Sequence, residues 1–134
     1  MNNAAFGEVI FYYGFDAKGK AILWDKAHEI TLSATAYFEK DGITDAQEKA
    51  CLAYKAAEAE KLARVEALLQ QYQEAQTGKP ASAAQLSAQF SPRTLLFNRD
   101  GSYALLFDDA ENPDEGLAVC LAPEEKVMSQ DAYL

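Results

Sequence analysis

From Asp45 to about Gln76 the chain runs 32 residues without a glycine or a proline. The stretch is rich in Ala, Glu, Lys, Leu and Gln, most of them strong helix formers. Thr44 with Gln47 three residues on reads as a capping box. Asp45 and Glu48 suit the positive end of a helix dipole. Cys51, Tyr54, Leu62, Val65, Leu69 and Tyr72 fall on one apolar stripe, with Glu58 in its middle. A straight helix of this length would extend about 48 Å, longer than a domain of this size needs. The pattern therefore predicts a break near Ala56 to Ala59, or an overhanging end. Thr77-Gly78-Lys79-Pro80 stops the helix, and Ser82 with Gln85 caps a short second helix over Ala83 to Gln89.

Strand-like runs lie on both sides of the helices. Val9 to Tyr13 is β-branched and aromatic, and Lys18-Gly19-Lys20 offers a turn before Ala21 to Trp24. The next run alternates. Ile30, Leu32, Ala34, Ala36 and Phe38 face one side, and Thr31, Ser33, Thr35, Tyr37 and Glu39 the other. After Ser91 come Arg93 to Phe97, Ser102 to Phe107 and Leu117 to Leu121. The first two are separated by Asn98-Arg99-Asp100-Gly101, a turn signal. Strands segregated from helices predict an α+β fold over residues 1–134, a single domain. It is an antiparallel sheet packed against one long helix plus a short helix.

Asp108, Asp109, Glu111, Asp114 and Glu115 put five carboxylates into eight residues of the last turn. Such a cluster persists only where water or a cationic partner screens it. The calcium-loop order of alternating ligands, central glycine and closing glutamate is missing. One reading is a solubilising loop at a sheet edge; the other is an anionic surface that docks a basic protein. The formal net charge of −9 disfavours nucleic acid and anionic membranes as partners. An aromatic-rich N-terminal run of Phe11, Tyr12, Tyr13, Phe15 and Trp24 is a second candidate patch, about half of it expected to pack in the core, with Gly14-Phe15 its expected exposed part.

Little else suggests chemistry. His28 is the only histidine; beside Asp25 and Glu29 at a strand start it reads as a surface residue rather than an acid–base group. Cys51 lies on the apolar stripe and Cys120 in an apolar strand, so both read as packing residues. No metal, no cofactor and no enzymatic activity are expected. The N-terminus lacks a basic region followed by an apolar core, so no signal peptide is expected, and reduced thiols suit the cytoplasm.

Several short motifs resemble a bacterial family of small domains that occur as immunity proteins beside polymorphic-toxin genes, in contact-dependent inhibition and Maf-type systems. They are Tyr12-Tyr13-Gly14, Trp24, Glu29-Ile30-Thr31-Leu32 and Gly42-Ile43-Thr44-Asp45-Ala46-Gln47. In the C-terminal part they are Leu106-Phe107-Asp108, Glu115-Gly116-Leu117-Ala118-Val119 and Gln130-Asp131. Members commonly carry a Trp after the Phe-Asp step, a His before the Gly and a Gly before the Gln-Asp step. Here Ala110 or its neighbours, Glu115 and Ser129 stand there. The resemblance implies a protein that blocks a cognate toxin domain, expected to be a basic nuclease, and it carries no catalytic residues. The other class open is an acidic adaptor or regulatory binding module without a toxin partner.

Overall fold

The computed structural model describes residues 1–134. Asn2–Asn3 (β1) and Gly7–Glu8 (β2) form a small hairpin of their own. Seven strands make the main sheet: β3 (Ile10–Phe11), β4 (Gly14–Leu23), β5 (Lys26–Thr35), β6 (Phe90–Phe97), β7 (Tyr103–Asp109), β8 (Leu117–Ala122) and β9 (Lys126–Ser129). They lie side by side in chain order, and every neighbouring pair is antiparallel except β5 and β6. The fold is α+β, as expected, but its central pair is parallel. A parallel pair needs a long crossover. Here α1 (Asp45–Ala56), α2 (Glu58–Thr77) and α3 (Ala83–Gln89) supply it. A short helix, α4 (Gln130–Tyr133), closes the chain.

The long helix is broken where the sequence suggested. Ala57 leaves helical geometry at φ −123°, ψ 28°, and its N–H is shared between the carbonyls of Ala53 and Tyr54. The break lets Cys51 and Tyr54 on α1 and Leu62, Val65, Leu68 and Leu69 on α2 all reach the core, while Glu58 stays half-buried at the joint. Both predicted capping boxes form, at Thr44 with Gln47 and at Ser82 with Gln85.

Other features differ from expectation. Lys18-Gly19-Lys20 is not a turn; it lies inside β4, a ten-residue strand. Gly19 is there because a Cβ would press on the Leu32 side chain across the hairpin, 3.1 Å from its Cγ. The turn falls instead at Trp24-Asp25, both at positive φ (52° and 62°), between paired Leu23 and Lys26. That left-handed pair gives the mirror-image turn that matches strand twist. Glu66 on α2 accepts the Trp24 N–H at 2.9 Å. The alternation in β5 holds for Ile30, Leu32 and Ala34 and stops at Thr35, so Phe38 is exposed rather than inward. A 3-10 turn over Glu39–Asp41 follows, with Asp41 accepting the Phe38 N–H.

Twenty-six buried residues fill the space between the sheet and α1–α3, with Phe15, Leu95, Phe97, Leu105 and Phe107 at its base. The opposite sheet face is closed only at β7–β9. There Ala104, Ala118 and Cys120 pack with Leu106, Met128 and Tyr133 beneath α4. Cys51 and Cys120 therefore lie on opposite sides of the sheet, both free, and do not pair.

Gln47, fully buried, joins these layers. Its Nε2 donates to the carbonyls of Thr35, at the end of β5, and Phe97, at the end of β6, both at 3.0 Å. Its Oε1 accepts the Thr44 N–H at 2.9 Å. Replacing Gln47 by Ala leaves one buried group, the Phe97 carbonyl, and two partly buried ones, the Thr35 carbonyl and the Thr44 N–H, without that partner, where an unpaired buried group costs about 1–3 kcal/mol. Arg99 still serves the Thr35 carbonyl, so Gln47→Ala should cost about 3 kcal/mol. Urea unfolding measures it; a loss below 1 kcal/mol would show that the bridge is not needed.

Candidate functional site

The acidic turn links β7 to β8 at one end of the sheet. Two successive turns shape it: Asn112 N–H donates to Asp109 O at 3.1 Å and Glu115 N–H to Asn112 O at 3.0 Å. It is anchored on both flanks. Ala110 N–H donates to the Gln89 carbonyl, and Gln89 Nε2 to Asp109 Oδ1 at 3.0 Å, which ties the turn to α3. On the other flank Gln130 lies across the backbone. Its N–H donates to Gly116 O at 2.9 Å and its Nε2 to Phe107 O at 2.8 Å. A side chain at Gly116 would collide with both the Gln130 amide and the Phe107 carbonyl, so the position has to be glycine.

The structure divides the five carboxylates. Asp108 reaches across to β6 and pairs with Arg93 Nε at 2.6 Å, both side chains remaining mostly in solvent. Asp109 Oδ1 accepts from Gln89 and from the Glu111 N–H, so it is part of the turn's frame. Glu111, Asp114 and Glu115 make no ion pair, and the first two are exposed. These three are the carboxylates of the turn left without an ion pair.

The remaining reactive groups are committed to packing or set apart. His28 faces the core side of β5 opposite Ala21, half-buried, while Glu29 alternates to the other face. Its Nε2 is buried without a hydrogen-bond partner. Burial pushes both thiols above their ordinary pKa, with Lys55 and Lys126 only partly offsetting it, so neither is a ready thiolate. No three or more His, Cys, Asp or Glu side chains gather as a metal site would require. No helix is long and apolar enough to cross a membrane.

At the opposite end of the sheet the structure shows a surface that the sequence reading placed wrongly. Gly14 and Phe15 are buried, not exposed. Tyr12 and Tyr13 stand out instead, their rings 4.7 Å apart, and Tyr13 is held at φ 62°. Tyr13 and Tyr37 line a groove of about 410 Å³ with Thr35, Ala36, Asp41 and Arg99. The signal lay in Tyr37-Phe38: adjacent aromatics cannot both face inward from a strand.

Burial also raises the phenol pKa values of Tyr54, Tyr103 and Tyr133. With the thiols, these groups are acids whose folded pKa lies above the unfolded value. Their contribution is fully present below the ordinary thiol and phenol values of about 8.5 and 10, and it is lost as pH rises through the folded pKa values. The urea midpoint should therefore fall steadily between pH 8 and pH 11. A flat profile would contradict the burial of these groups. Comparison of the chain with known protein families, curated proteins and solved structures finds no match.

Proposed function

We propose that this chain is an immunity protein: it binds a cognate toxin domain and neutralises it by covering its active site or its substrate path. The observation that carries the reading is the acidic turn. It is a frame of backbone and amide hydrogen bonds that projects Glu111, Asp114 and Glu115 from a fixed edge of the sheet. A preformed anionic surface docks without an ordering cost and speeds the approach of a basic partner. Nuclease domains carry basic surfaces to hold phosphates, which makes a basic nuclease toxin the partner of choice for a chain of net charge −9. The resemblance of short motifs to those of immunity proteins supports the same reading. Gly116 and Gln130 of that set touch one another at the base of the turn.

On this reading the protein performs no reaction and acts in the cytoplasm, where Cys51 and Cys120 stay as free thiols. Asp108 and Asp109 hold the turn, and Glu111, Asp114 and Glu115 steer.

The test uses the C-terminal domain of the protein encoded immediately upstream. The wild-type chain should bind it and abolish its toxicity on co-expression. Changing Glu111, Asp114 and Glu115 to Gln, Asn and Gln should lower the association rate about tenfold at low salt. It should also flatten the salt dependence and leave dissociation within twofold. No binding by the wild-type chain, or an unrelated gene upstream, favours the adaptor class instead. Unchanged rates in the variant leave the turn as a solubilising loop.

A further inference from the structure

Five large side chains stand bare in one contiguous patch around the Tyr13 turn: Ile10 (71% exposed), Tyr12 (71%), Tyr13 (85%), Tyr37 (94%) and Phe38 (61%). Ile10 and Tyr12 line one shallow groove, Tyr12 touches Tyr13, Tyr13 and Tyr37 flank the next groove, and Tyr37 touches Phe38. At about 200 Å² for each large side chain, the patch leaves on the order of 700 Å² uncovered. Its apolar part, with the tyrosine hydroxyls and main chain left out, is comparable to the largest apolar patch of most monomers, about 300–600 Å². The whole patch approaches the ~800 Å² that one side of a stable protein–protein interface buries.

The patch is held in shape. The Tyr13 backbone is in the left-handed region, which a bulky residue occupies only when its surroundings impose it. The segment beneath Tyr37 is pinned by Arg99, whose guanidinium donates to the carbonyls of Thr35 (3.0 Å), Gly42 (2.6 Å) and Asp41 (3.3 Å). Rigid tyrosines on a fixed frame are the side chains that dominate binding energy at interfaces.

The groove wall carries one carboxylate, Asp41, and one guanidinium, Arg99, and the chain's net charge of −9 favours a basic occupant. Lys40 already sits over the Phe38 ring, 5.5 Å from its centroid, so ring faces here attract cations. Arg99 turns its donors toward backbone carbonyls, and Asp41 in the groove wall engages only its Oδ2. Two open tyrosine rings beside a carboxylate suit a guanidinium.

We propose that this aromatic surface is the main docking site for a basic protein, with an arginine of that protein seated between Tyr13 and Tyr37 against Asp41. The assignment of the occupant rests on the immunity reading above and deepens it. The acidic turn lies about 20 Å away along β7, at roughly 3.3 Å per residue. It then governs encounter, while the tyrosines govern how long the complex lasts.

Two measurements test the surface. First, amide chemical shifts are followed while acetyl-Gly-Arg-Gly-amide, and separately acetyl-Gly-Glu-Gly-amide, is added. The arginine peptide should give saturable shifts at Tyr13, Ala36, Tyr37 and Asp41. These should vanish in the double variant Tyr13→Asn, Tyr37→Ser, where Asn tolerates the left-handed backbone. No saturable shift, or equal shifts with the glutamate peptide, overturns the proposal. Second, the same variant is measured against the upstream-encoded domain. Dissociation should quicken at least thirtyfold with association within threefold. An unchanged dissociation rate overturns the surface and leaves the immunity reading standing. Arginine-peptide binding without any binding of that domain keeps the surface and removes the immunity reading.

Discussion

The fold turns on one buried amide. A parallel pair at the centre of an otherwise antiparallel sheet has no hairpin to set its register, and its strands are joined only through three helices. Gln47 supplies the missing constraint. It is capped to Thr44 at the start of α1, and it hydrogen-bonds the last carbonyls of β5 and β6. One side chain thus fixes the start of the crossover helix against both strands that the crossover connects. Arg99 repeats the logic from the surface. Its guanidinium also donates to the Thr35 carbonyl, and the Thr44 hydroxyl donates to the Arg99 carbonyl at 2.9 Å. The Asn98–Gly101 turn is drawn to the same point. A Cβ on Gly101 would stand 3.0 Å from the Ala46 carbonyl, so the turn lies directly on the first turn of α1.

That junction explains which parts of the architecture could be read from the residues. Helix ends are local: Thr44, Gln47, Ser82, Gln85 and Gly78 signal them within a few positions, and each is found in that role. The break at Ala57 was legible because Glu58 interrupted an apolar stripe. Pairing across long separations was not legible. Nothing near Thr31 or Thr94 announces that they lie side by side in parallel. Gly19 misled because a glycine in a strand, required for a close approach by Leu32, has the same local look as a glycine in a turn. Trp24 concealed the real turn, since a bulky aromatic residue rarely takes positive φ and Asp25 beside it was a weak signal alone. Tertiary contacts with Glu66 and Phe107 hold Trp24 there instead.

The candidate site was half legible for a related reason. Charge density is additive along a sequence, so the acidic turn stands out without any knowledge of its neighbours. How many of those charges are free depends on residues elsewhere. Arg93 and Gln89, on β6 and α3, take Asp108 and Asp109 into the structure. The aromatic surface was partly legible: Tyr12 and Tyr13 stood in a candidate patch and Tyr37 on the outward face of its run, but Phe38 read as inward until the strand end at Thr35 is known.

The polar groups of the interior are mostly spent on holding the fold together. Gln47, Gln130 and Ser33, whose hydroxyl donates to Asp16 at 2.6 Å, all serve backbone or neighbouring strands. The two groups left over, His28 Nε2 and the Tyr54 hydroxyl, are buried in different places, and Tyr54 is held further from ionising by burial and by Glu58. What the fold presents outward is a fixed acidic corner at one end of the sheet and a fixed aromatic corner at the other. Charge acts over about 8 Å in physiological salt and apolar contact only at touching distance. On the proposal above, a partner drawn by the first corner and held by the second would have to be broad enough to span the sheet, as a folded protein is and a peptide or a small ion is not.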